Sequence, residues 1–122
     1  MKKSFIFILL IFSGIVQAQV SLDDARLLLD SGNITVIDIR ERNEHATGVA
    51  KGMTLIPMST LDTQLIEMLK DPKQSVLLIC NTQNRSKKVV LDLQSRGYSN
   101  VQYVIGGMNE WTKRGWALET PP

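Results

Sequence analysis

The chain contains one cysteine, Cys80, and it opens the segment Cys80-Asn81-Thr82-Gln83-Asn84-Arg85-Ser86. The apolar run Ser75–Cys80 reads as a strand, and the residues from about Ser86 read as a helix. A thiol between the two faces the unpaired N–H groups and the positive end of the helix dipole. Both favour thiolate over thiol, and the thiolate is the nucleophile. Arg85 adds a fixed positive charge within reach if the segment curls, and successive N–H groups in such a turn form an anion-binding nest. A cysteine activated in this way needs no separate general base, which suits a chain whose only histidine is His45. The competing reading is a buried, inert cysteine acting as a small hydrophobe. One cysteine cannot form an intramolecular disulfide, so in an oxidising compartment it must be hidden or used.

The elements that position this segment alternate along the chain. Ser21 can cap a helix over Leu22–Asp30, closed by Ser31-Gly32. Ile34–Asp38 is a β-branched run, and Thr54–Ile56 is a short strand candidate. Ser59 can cap a helix that carries Leu61, Leu65, Met68 and Leu69, which Asp71-Pro72 stops. Strand Ser75–Cys80, helix Ser86–Arg96 and strand Val101–Ile105 make a βαβ unit with a right-handed crossover. A last short helix holds Asn109–Arg114. Near-continuous apolar strands imply coverage on both faces. The expected fold is therefore α/β: a single domain with a mainly parallel sheet of four to five strands and helices on both faces. Ligands in such sheets sit at the carboxyl ends of strands, where Cys80 lies.

At this point the order of motifs resembles the rhodanese family across residues 19–122. Asp38-Ile39-Arg40 after a buried strand, then Glu44 and Gly48, is similar to the first motif of that family. Cys80 to Arg85 with Ser86 is similar to its active-site loop. Gly106-Gly107, Trp111, Gly115 and Leu118 are similar to its C-terminal signature. The resemblance implies a sulfurtransferase: Cys80 takes sulfane sulfur from a small anionic donor such as thiosulfate and passes it to cyanide or a thiol. Arg85 would hold the loop and help to bind the donor, and the residues Asn81, Thr82, Gln83, Asn84 and Ser86 would form the binding loop. No metal or organic cofactor is implied. The related dual-specificity phosphatases carry a loop one residue longer, so four residues between Cys80 and Arg85 favour sulfur over phosphate. Two other roles remain open: a persulfide carrier for a protein thiol, or a non-catalytic binding module. Gln83 stands where the family loop has glycine, and a requirement for positive φ there would strain it.

Other residues carry two readings each. Asp38 and Arg40 are either catalytic or a structural ion pair near the loop, and paired burial favours the latter. Lys87 and Lys88 oppose the helix dipole, either as a field for an anionic substrate or as a solvated face. His45 has no metal-ligand spacing. Trp111 and Trp116 read as packing residues, or for Trp111 as a pocket wall.

The N-terminus reads separately. Lys2-Lys3, the apolar run Phe5–Phe12 and Val16-Gln17-Ala18 form the pattern of a signal peptide over residues 1–18, with a retained N-terminal anchor as the alternative. The expected location is periplasmic or secreted, with no stable membrane span after its removal. Without those residues, 12 basic residues face 12 acidic ones. The remaining chain is formally neutral, and no bulk field points to nucleic acid.

Overall fold

The computed structural model describes residues 17–122. The expected signal peptide therefore lies outside the described residues, apart from Gln17 and Ala18. Five strands, β1 (Gln19–Val20), β2 (Thr35–Asp38), β3 (Thr54–Leu55), β4 (Val76–Ile79) and β5 (Val101–Val104), form one sheet in the order β1-β5-β4-β2-β3. Every pairing is parallel. The α/β expectation of four to five strands is thus met with five.

Strand β4 shows why the sequence folds this way. Val76, Leu78 and Cys80 join one core with Leu65 and Leu69 of α3 (Asp62–Leu69) and with Val90 and Leu93 of α4 (Asn84–Ser95). The alternate residues Leu77 and Ile79 join a second core with Ala25 of α1 (Leu22–Ser31) and with Met108 and Trp111 of α5 (Gly107–Lys113). Successive side chains of a strand point to opposite faces, so an unbroken apolar run demands a helix layer on each side. Truncating Leu78 to alanine in this setting costs about 2–5 kcal/mol.

Helix α1 starts as its sequence suggests. The Ser21 hydroxyl accepts the Asp24 N–H at 3.1 Å, and Gly32 closes the helix at φ 74°. Three other expectations need correction. Ser59 does not cap α3. It lies in a 3-10 turn (Met58–Thr60), and its hydroxyl donates to Glu41 Oε1 at 2.7 Å, while Leu61 takes the cap position. Helix α4 starts at Asn84, two residues before Ser86, because the Lys87 N–H already bonds the Gln83 carbonyl at 2.8 Å. Helix α5 likewise starts at Gly107, ahead of Asn109.

Two elements carried no sequence signal. Strand β1 is two residues long. Helix α2 (Arg42–His45) is a single turn. Trp111 packs in the core opposite to that of Cys80 and so forms no wall beside the thiol. Its indole N–H donates to the Ala117 carbonyl at 3.3 Å, and its ring meets Trp116 edge-on at 4.8 Å.

Candidate active site

Cys80 lies immediately past β4 and is 1 % exposed. Because α4 begins at Asn84, only Asn81, Thr82 and Gln83 form the connecting loop. Arg85 and Ser86 belong to the first helical turn. That turn brings Ser86 back over the strand end. Its buried hydroxyl lies 3.4 Å from Cys80 Sγ and 3.2 Å from the Gln83 carbonyl. One hydroxyl proton therefore has two acceptors in reach, and a thiolate would draw it, as the stronger acceptor. Asn81, Thr82 and Asn84 are exposed, and Gln83 and Arg85 are half-buried.

The loop owes its shape to α5. The Met108 N–H donates to the Cys80 carbonyl at 2.8 Å, and the Asn109 N–H donates to the Asn81 carbonyl at 2.8 Å. The carbonyls of Cys80, Asn81 and Thr82 all crowd the position that a Cβ on Gly107 would occupy. Only glycine at this position allows so close an approach, and its φ of 60° adds to the demand. In a planar trans peptide the N–H points opposite to the C=O. Three carbonyls turned toward α5 therefore turn the N–H groups of Asn81, Thr82 and Gln83 away from it. None of these three N–H groups has a protein acceptor among the described residues. Three consecutive free donors beside a buried thiol form an anion cradle.

Gln83 itself is unstrained. Its φ of −160° is extended backbone, open to any residue, so glycine is not required there. Its side chain is also engaged, since Oε1 accepts the Gly106 N–H at 3.0 Å.

Arg85 makes a two-pronged ion pair with Glu44, at 2.7 Å from Nη1 to Oε1 and 2.8 Å from Nη2 to Oε2. Glu44 is the site residue that the sequence reading did not single out for this role. The Arg85 hydrogen bonds hold its carboxyl down to about 2 from an ordinary value of 4.5, against the opposing pull of partial burial. Arg85 is raised in turn, first by the Glu44 hydrogen bond.

Asp38 and Arg40 form the layer beneath. Arg40 grips the Asp38 carboxylate through Nε at 3.0 Å and Nη2 at 2.8 Å, both side chains being buried. Nη2 also reaches the Gly48 carbonyl at 2.9 Å, and Nη1 reaches the Glu44 carbonyl at 3.4 Å. The pair thereby fixes the short helix that presents Glu44. His45 Nε2 stands 3.2 Å from the Asp38 carbonyl and 3.4 Å from its carboxylate, a contact that the sequence did not suggest. Lys87 and Lys88 are exposed at the start of α4. Among the described residues no three His, Cys, Asp or Glu side chains gather as a metal site requires.

A parallel sheet with a cysteine loop cradled between two helix starts defines a class, and comparison with known proteins agrees on which. The profile of the rhodanese-like domain matches residues 21–114. The chain belongs to that family, and its general chemistry is sulfur transfer. It is 28% identical over 94 residues to a sulfurtransferase of Allochromatium vinosum, covering 77% of this chain and 86% of that protein. It is also 28% identical over 107 residues to the thiosulfate:glutathione sulfurtransferase of Homo sapiens, covering 78% and 93%. Among solved structures, the rhodanese-like domain protein of Staphylococcus aureus is 30% identical, with a TM-score of 0.70 over 87% of this chain and 100% of that one.

Proposed function

We propose that the protein is a thiosulfate sulfurtransferase working through a persulfide on Cys80. The observation that carries this reading is the set of three unpartnered N–H groups beside the only thiol. In the first half-reaction the Cys80 thiolate attacks the outer sulfur of thiosulfate. The new Sγ–S bond forms as the donor's S–S bond breaks, and sulfite leaves with the electron pair. In the second, cyanide or a thiolate attacks the outer sulfur, takes it as thiocyanate or a new persulfide, and returns the Cys80 thiolate. No net oxidant or reductant is needed. The free amides of Asn81, Thr82 and Gln83 hold the negative charge of the terminal sulfur. The Ser86 hydroxyl donates to Sγ when it carries charge. The human relative's name pairs thiosulfate with glutathione, which supports a low-molecular-weight thiol as acceptor here.

The expected result is thiosulfate-dependent transfer to cyanide or glutathione that disappears in Cys80→Ser. Full turnover in that variant would refute the reading. A second role draws on one observation, the 1 % exposure of Cys80. A sulfur so closed off suits a persulfide carrier that opens only against a docked protein thiol. Poor turnover with cyanide beside fast transfer to a protein thiol would favour the carrier.

We also propose export to the periplasm or medium, with removal of residues 1–18. A cut after Ala18 leaves β1 intact and alters two described contacts: the rung from the Tyr103 N–H to the Ala18 carbonyl, at 2.9 Å, and the hydrogen bond from Gln102 Nε2 to the Gln17 carbonyl, at 2.7 Å. Protein isolated from the cell envelope should begin at Gln19, and recovery of the full-length chain there would contradict the proposal.

A further inference from the structure

Two rungs from α5 to the loop have been described: Met108 N–H to the Cys80 carbonyl and Asn109 N–H to the Asn81 carbonyl. Both use main-chain acceptors. The third, from Gly106 N–H, ends on a side chain, Gln83 Oε1, at 3.0 Å. The N–H can only donate, so the amide oxygen must face it. We propose that Gln83 is a positioning residue: its side chain completes the anchoring of the loop on the α5 start and thereby sets the orientation of the cradle amides. This deepens, and rests on, the sulfurtransferase reading.

First, Gln83 is the hinge between loop and helix. Its carbonyl accepts from both Lys87 N–H and Ser86 Oγ, so it already belongs to α4, while its own N–H belongs to the cradle. A side-chain tether at this residue fixes the peptide plane where the two meet. Second, its backbone could move without that tether. Main-chain hydrogen bonds join the loop to α5 at Cys80 and Asn81, the Thr82 carbonyl lies against Gly107 without one, and beyond Asn81 no main-chain rung to α5 follows among the described residues. Third, the Gly106 N–H belongs to a residue at φ 83°, which turns the chain into α5. Satisfying that donor from Gln83 ties the turn and the loop to one another. Fixed donors act on charge that develops on sulfur during transfer, more than on the bound donor itself. Loss of the tether should therefore slow the step and leave donor affinity nearly unchanged.

The test compares wild type, Q83A and Q83E by Gly106 amide hydrogen exchange, by single-turnover persulfide formation with thiosulfate and by alkylation of Cys80 with iodoacetamide. A glutamate keeps the acceptor and loses the amide donors. Q83A should exchange Gly106 about tenfold faster and form persulfide about five- to tenfold more slowly at saturating thiosulfate, with donor affinity within about twofold. Q83E should restore the protection of Gly106 and most of the saturated rate, with weaker thiosulfate binding from its added charge. Unchanged Gly106 exchange in Q83A overturns the tether, and unchanged persulfide and alkylation rates overturn its positioning role. A Q83E variant as slow as Q83A at saturation also overturns it, since the acceptor alone would then not suffice. If wild type forms no persulfide, the functional reading fails, whereas Gly106 exchange and the alkylation rates still decide on the tether.

Discussion

Arg85 stands near the thiol with both guanidinium prongs engaged by Glu44. Its charge is locally compensated, so its main contribution is to pin the first turn of α4, and thus Ser86, above Cys80. The same pair gives the site an acid limit. Glu44 titrates lower in the folded protein than when unfolded, so its stabilising effect is complete above about pH 4.5 and is lost as pH falls toward 2. E44Q should be about 1 kcal/mol less stable than wild type at neutral pH, a modest value because the pair is partly solvated. Urea titrations should show that difference shrinking below pH 4.5, and a pH-independent difference would contradict the assignment. Ser86 offers a second residue-level test. S86A should keep the fold and slow persulfide formation about tenfold, the loss expected for one hydrogen bond to a charged sulfur. Unchanged single-turnover rates in S86A would remove Ser86 from the mechanism.

At the scale of elements, the α5 start acts as a template for the loop. Gly107 permits this, because any Cβ there would strike the carbonyls of three loop residues. G107A should cost about 2 kcal/mol or more in stability, read by thermal unfolding, and should abolish sulfur transfer even at temperatures where the variant is folded. Wild-type stability and rate in G107A would contradict the templating role. Strand β4 and helix α4 were legible because their apolar patterns are set by what covers them. The start of α4 was not, since Asn84 and Arg85 carry no apolar periodicity and the helix begins inside the chemical motif. Strand β1 was too short to show alternation. The Gln83–Gly106 and Glu44–Arg85 contacts join residues 23 and 41 positions apart. Such contacts exist only because of sheet order, which no local pattern encodes.

For the molecule as a whole, the parallel sheet brings the end of β4 together with the starts of α4 and α5, and the short helix carrying Glu44 closes the site from the β2 side. The motif Asp38-Ile39-Arg40 was legible as an ion pair near the loop. Its link to Glu44 and Gly48 was not, because it runs through backbone carbonyls, which no residue type announces. Gln83 was legible as a departure from glycine, and the strain that a positive φ would bring is absent because the backbone there is extended. The thiol at the centre of the proposed chemistry, Cys80, is almost wholly excluded from solvent. The most direct test is therefore the intact mass of the protein after exposure to thiosulfate. The account predicts the gain of one sulfur atom, lost again on addition of cyanide and never acquired by Cys80→Ser. An unchanged mass in the wild-type protein, or the same gain in Cys80→Ser, would contradict it.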